Sequence, residues 1–169
     1  MSNMSNLPLA GIVVLDFGQV YQGPHATLLM AKAGADVIKI EPPQGEPLRR
    51  RAPSGKSTTF PIAILNSNKR AITLNLKHER GRALLLEMVR RVDVLLENFS
   101  PGTMDRLGVG WAELSRVNPR LVYASGSGWP QRAGSRQSGN GSDDPGGLRA
   151  DQHDRLSRWA AGQGRARDR

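Results

Sequence analysis

The sequence predicts an α/β fold, a parallel sheet with flanking helices, followed by a C-terminal segment of different character. Two observations carry this. Over residues 1–128, short β-branched runs alternate with amphipathic stretches at the spacing of β-α-β units. After Gly128 the composition breaks. Residues 129–169 hold eight Arg, seven Gly, five Asp and five Ala, with no Val, Ile, Met, Phe, Tyr, Lys or Glu. Such a segment has too little apolar surface to offset the entropy of ordering its chain, so a disordered tail is expected. The organisation read from the sequence is therefore one domain over 1–128 and an Arg/Gly-rich tail over 129–169.

The elements follow in order. Gly11–Phe17 (GIVVLDF) is a short β-branched run that suits a buried strand. Gly18–Pro24 is a turn, and Pro24 fits the first turn of a helix over His25–Lys32 that Gly34 stops. Ala35–Glu41 (ADVIKIE) is a second strand, closed by Pro42 and Pro43. Residues 42–58 are rich in Pro, Gly and Arg and read as a long loop, with a short helical piece at Phe60–Leu65. Ala71–Leu76 is a third strand. Glu79–Arg91 is the clearest amphipathic helix, with Leu84, Leu85, Met88 and Val89 on its apolar stripe. Asp93–Glu97 is a fourth strand, Met104–Leu107 and Trp111–Val117 are helical, and Leu121–Ala124 is a fifth strand. In sheets of this kind ligands sit at the carboxyl ends of the strands, which singles out the loops Gly18–Pro24, Asn98–Gly102 and Ser125–Gly128.

Composition narrows the function. The net charge of +9, from 24 basic and 15 acidic residues, favours polyanionic partners such as a phosphorylated cofactor, an anionic membrane or nucleic acid. With no cysteine, disulfides, thiol catalysis and Cys-based zinc sites are excluded. The N-terminus has no basic n-region, and Ile12–Leu15 is far too short for a signal or a membrane span. A soluble cytoplasmic protein is expected.

Local motifs are each weighed against a plain structural role. Gln19–Pro24 leads into a helix whose free N–H groups suit a phosphate, and Gly23 would let a ligand approach. The loop lacks the GxGxxG glycines, so a dinucleotide fingerprint is not supported. Ser54-Gly55-Lys56-Ser57 looks like the end of a phosphate loop, but position 50 is Arg where Gly is required. Arg49–Arg51 could grip phosphates or be a solvated charge run. Only Phe60 lies near it, which weighs against nucleic acid. His25, His78 and His153 have no second ligand at metal spacing, so no metal is expected. Asp16 ends a strand and reads as a carboxylate capping the next turn rather than a catalytic group. Asn98 could bond a ligand amide and Phe99 could stack on a base, or the two could belong to a Pro-Gly turn with one core aromatic.

Four stretches, GIVVLDFGQVYQGPHATLLMAKAGADVIKIEPP, NSNKRAITLNLK, DVLLENFSPGTMDRLG and NPRLVYASGSG, together resemble the class III CoA-transferases in order and spacing. That family includes formyl-CoA, carnitine and bile-acid CoA-transferases and 2-methylacyl-CoA racemases. The resemblance implies a Rossmann-like domain binding coenzyme A as acyl-CoA. It implies CoA transfer between carboxylic acids through an aspartyl mixed anhydride and an aspartyl-CoA thioester, a covalent route that divides one hard exchange into easier steps. An acyl-CoA racemase is the nearby alternative, and a non-enzymatic CoA-binding or basic-tail interaction module is the alternative from another class. Carried over by position, the implied CoA contacts are Tyr21 and Gln22, then Leu74, Asn75, Leu76 and Lys77, then Asn98, Phe99 and Ser100, and Arg106. Where some members have Arg after the second strand's Ile-Glu, this chain has Pro42. Past Gly128 the resemblance is read as ending. The family's acidic nucleophile would fall at or past the end of this chain, so no catalytic residue is assigned. Family chains are far longer and form interlocked dimers, so the fold is expected to be incomplete relative to the family. The tail composition is what a GC-rich gene yields out of frame, and an inactive, truncated product of marginal stability is expected.

Overall fold

The computed structural model describes residues 6–51 and 59–127. Five strands form one parallel sheet in the order β3-β2-β1-β4-β5. They are β1 (Val13–Asp16), β2 (Asp36–Glu41), β3 (Arg70–Thr73), β4 (Val94–Glu97) and β5 (Val122–Ser125). The helices are α1 (Gln22–Lys32), α2 (Phe60–Leu65), α3 (Glu79–Val89), α4 (Thr103–Arg106) and α5 (Trp111–Val117). The α/β class and its parallel sheet are as the sequence predicts.

Strands covered on both faces need apolar residues at successive positions, which is why β1 reads as a continuous run. Val14 pairs with Val37 and Val94 across the sheet, and Val14, Val37, Ala31 of α1 and Ala35 form the core on one face. One residue on, Leu15 and Leu95 are in register. They point to the other face, into a larger core with Leu85 and Val89 of α3 and Leu114 of α5. The central strand β1 is thus fixed from both sides, and its carboxyl end is the natural centre of a site.

The structure moves several expected boundaries. α1 begins at Gln22 rather than His25. β3 covers Arg70–Thr73 instead of Ala71–Leu76, so Leu74–Leu76 leave the sheet as loop. Pro47–Arg51, read as loop, forms a 3-10 turn anchored by buried Leu48. On α3 the buried row is Gly81, Leu85 and Val89, while Leu84 is exposed. The row follows Gly81 because that glycine lies directly against the carbonyl of Asn75. The Ser54–Ser57 motif, His153 and the segment 129–169 lie outside the described residues.

Candidate functional site

The carboxyl ends of β1, β2 and β4 are built by one recurring device. Each strand ends on a buried carboxylate that accepts a backbone N–H from the following loop. Asp16 accepts from Gly18 at 2.8 Å, Glu41 from Glu46 at 3.1 Å, and Glu97 from Phe99 at 2.7 Å. Asp16 also accepts from Thr27 Oγ1 at 2.7 Å and pairs with Lys69 at 2.9 Å, both side chains being fully buried. This is the capping role read for Asp16 from the sequence. Lys69 Nζ donates further to Pro24 O, Thr27 Oγ1 and Asn66 Oδ1. Burial lowers its pKa, and the adjacent Asp16 carboxylate opposes that shift. Lys39, 1% exposed, donates to the carbonyl of Gly18 at 2.7 Å. Glu41 takes a two-point contact from Arg49, 2.7 Å to each oxygen. That bond holds its carboxyl below the usual range against the upward push of burial. Tyr123 donates to Glu97 at 3.3 Å. Burial, followed by the Glu97 charge, pushes the phenol well above its ordinary value.

Over these ends lies a cleft of about 460 Å³. Its apolar lining comes from Phe17, Ile40, Leu74, Leu76, Phe99 and Leu107, with Pro42 and Pro43 beside them. Gln19, Gln44, Asn75, Lys77 and Thr103 supply the polar groups. Phe17 and Phe99 meet edge-on with centroids 6.4 Å apart. The Leu74–Lys77 wall is tightly built. Leu74 N donates to Glu41 O at 2.8 Å, which continues the β2–β3 ladder by one bond. Asn75 Oδ1 then accepts from Lys77 N at 3.1 Å, and Arg82 donates to the carbonyls of Leu76 and Lys77.

Of the residues expected to contact CoA, Leu74, Asn75, Leu76, Lys77 and Phe99 line this cleft, and five others do not. Tyr21 and Gln22 start α1 and are exposed, and Gln22 lies against Gly126. The Asn98 amide is committed to the first loop: Oδ1 accepts from Gln19 N at 2.7 Å and Nδ2 donates to Gln19 O at 2.9 Å. Ser100 is partly exposed and opens the turn into α4, its carbonyl accepting from Thr103 N. Arg106 is exposed and donates to Thr103 Oγ1 at 2.9 Å, which ties it to a residue of the cleft wall. Gly23 does not open space for a ligand, because an added Cβ would lie 2.6 Å from Gly18 Cα. It lets two loop segments meet. Arg49 is engaged by Glu41, while Arg50 and Arg51 are exposed. His78 caps α3, its Nδ1 accepting from Arg80 N. Among the described residues no cluster of metal-ligating side chains occurs, and no helix is long and apolar enough to cross a membrane.

Sequence reasoning missed Glu46, Lys39 and Lys69, and named Gln19 only as part of the Gln19–Pro24 loop. Lys39 left a trace, a lone cation inside the apolar run ADVIKIE. Glu46 and Lys69 left none, since both sit in polar loop sequence.

Comparison with known proteins settles the family. The model of CoA-transferase family III matches residues 9–147. The chain belongs to this family. The match runs past Gly128, where the sequence reading ends the resemblance. A formyl-CoA:oxalate CoA-transferase of Streptomyces coelicolor is 49% identical over 129 residues, 75% of this chain and 31% of its own length. An acetyl-CoA:oxalate CoA-transferase of Acetobacter aceti is 47% identical, over 73% of this chain and 32% of its own. Among solved structures, a CAIB/BAIF family protein from Brucella suis superposes with a TM-score of 0.67 at 34% identity, covering 71% of this chain and 33% of that one. The chain therefore spans about a third of the length of the relatives it matches.

Proposed function

We propose that this chain forms the CoA-binding part of an acyl-CoA:carboxylate CoA-transferase and, as 169 residues, binds CoA without turning it over. The observation that carries the reading is the cleft. Five of the ten residues implied by the family resemblance, dispersed over two loops of the sequence, converge on one apolar-floored cavity at the carboxyl edge of a parallel sheet. The partly exposed ring of Phe99, held edge-on by buried Phe17, suits a purine, and Lys77 with Arg82 and Arg106 suits phosphates. The relatives, CoA-transferases named for formyl-CoA, acetyl-CoA and oxalate, favour transfer over racemisation.

The carboxylates of the described residues support the absence of turnover. None lines the cleft among the described residues. Asp16, Glu41, Glu46 and Glu97 are buried and bound to backbone N–H groups. A carboxylate already committed to loop amides is a poor nucleophile toward a thioester. The test is thermal unfolding of the whole chain with free CoA. At a hundredfold excess over Kd, CoA should stabilise by about 2.7 kcal/mol, and Arg106→Ala should weaken that protection. No rise in Tm at millimolar CoA refutes the CoA site. Measurable transfer from formyl-CoA to oxalate refutes the claim of no turnover.

A further inference from the structure

Val20 has a φ of 62°. For an L-residue branched at Cβ this is the left-handed region, which costs about 1–2 kcal/mol and persists only where surrounding groups enforce it. The neighbouring Gly18 and Gly23 take no positive φ, so the left-handed step of this turn falls on Val20 rather than on a glycine. The enforcing groups come from elsewhere in the chain. Val20 N–H donates at 2.8 Å to Oε1 of Glu46, which is 2% exposed. On the other side Gln19 is held at both its N–H and its carbonyl by Asn98. The second oxygen of Glu46 is buried with no hydrogen-bond partner among the described residues. Burying a carboxylate oxygen unpartnered costs stability, so stability alone does not explain this residue.

We infer that Glu46 is a positioning residue: its carboxylate clamps Val20 in the left-handed conformation and so fixes the Gln19–Gln22 loop at the edge of the cleft. The inference rests on the proposed CoA site for its functional consequence. The connection is geometric. Gln19, next to Val20, lines one side of the cleft, and Gln44, two residues before Glu46, lines it with Pro42 and Pro43. The Val20–Glu46 bond therefore ties two walls together. Glu46 is itself set in place, because its own N–H donates to Glu41, which Arg49 grips. A chain of contacts thus runs from the end of β2 to the start of α1. Without the clamp Val20 relaxes out of the left-handed region. The population with a formed loop then falls by the factor the backbone penalty sets, about tenfold, and CoA affinity falls with it.

The experiment uses the full 169-residue chain and two readouts, amide hydrogen exchange and calorimetric binding of free CoA. Glu46→Met keeps the length and removes the acceptor. It should speed exchange at Val20 about tenfold, leave the amides of β1 and β4 as they were, and raise the Kd for CoA about tenfold. Glu46→Gln retains an acceptor and should stay close to wild type. Glu46→Asp, one methylene short of the Val20 N–H, should repeat the loss in a side chain that keeps its charge, and it decides the matter if the Met variant does not fold. Val20→Gly removes the backbone penalty, so adding it to Glu46→Met should recover most of the affinity. Unchanged exchange at Val20 in the Met and Asp variants overturns the inference. Equal acceleration across the core strands also overturns it, since Glu46 would then support the whole fold and not the loop. Exchange as expected with no CoA binding by the wild type supports the clamp and defeats the CoA reading instead.

Discussion

Replacing Gly81 by alanine sets helix propensity against packing, and the two give opposite signs. Gly81 is the third residue of α3. Propensity alone makes Gly→Ala within a helix favourable by about 1 kcal/mol. The local geometry overrides that gain. A Cβ at position 81 would stand 2.0 Å from the carbonyl oxygen of Asn75 and 2.7 Å from its carbonyl carbon. An ordinary C···O contact is about 3.3–3.6 Å, so more than an ångström must be opened. The obstacle is backbone, which no rotamer change can relieve. Overpacking of this kind costs typically about 1–3 kcal/mol. Because the opening needed is large, the upper part of that range applies, leaving a net destabilisation of about 1–2 kcal/mol after the propensity gain. The strain falls on Asn75, whose side chain orders Lys77 and which lines the cleft with Leu74 and Leu76. Gly81→Ala should therefore lower the Tm by several degrees in a thermal melt and weaken CoA protection as well. A Tm that rises by the propensity amount refutes the reasoning. It would mean that α3 does not start against the Asn75 carbonyl.

Two further substitutions test the polar layer beneath the cleft. Lys69→Met leaves the buried Asp16 carboxylate without its cation, which should cost about 3–5 kcal/mol in urea unfolding; adding Asp16→Asn should restore part of it, and a loss below about 1 kcal/mol would show that the pair is hydrated. Glu41 has a folded-state pKa below its unfolded value of about 4.3, so its stabilising contribution is complete above that pH and is lost as the pH falls through the lowered folded value. Arg49→Met should flatten this acid limb of the urea midpoint against pH, and an unchanged limb would place the acid sensitivity in other groups.

The central strands β1, β2 and β4 were legible because strands buried on both faces write themselves as short, dense apolar runs; the edge strands β3 and β5 are exposed or half-buried, and all five lie within a residue or a few of their expected limits. The ends were less so. Leu74 and Leu76 continue the apolar pattern of β3 and read as strand, yet they are buried in a loop that folds back under α3 and lines the cleft. Periodicity cannot tell a side chain buried in a sheet from one buried in a wall beside it. Five of the ten residues singled out through family resemblance, Leu74–Lys77 and Phe99, line one cleft. Asn98 sits beside the cleft, yet its amide serves Gln19. The clamp itself was invisible. Nothing local marks Val20 for positive φ, because the cause lies 26 residues away in Glu46. Strain imposed by a distant contact leaves no signature in the strained residue's own sequence.

One regularity in the sequence does carry physical meaning. VLD, KIE and LLE close β1, β2 and β4, each an apolar strand ending on an acid. An acid at the carboxyl end of a parallel strand, under a cleft, is where a catalytic group would first be sought. Here all three are buried and spent on the N–H groups of the loop that follows. Buried loop amides need acceptors, and an ionised carboxylate is a strong one. The cations Lys69 and Arg49 then offset two of the three charges. The acids at the strand ends are thus what shapes the floor under the cleft, and using one as a nucleophile would release the loop it holds. A covalent mechanism on this scaffold therefore needs a carboxylate other than these three at the cleft, one that is free of the loop amides.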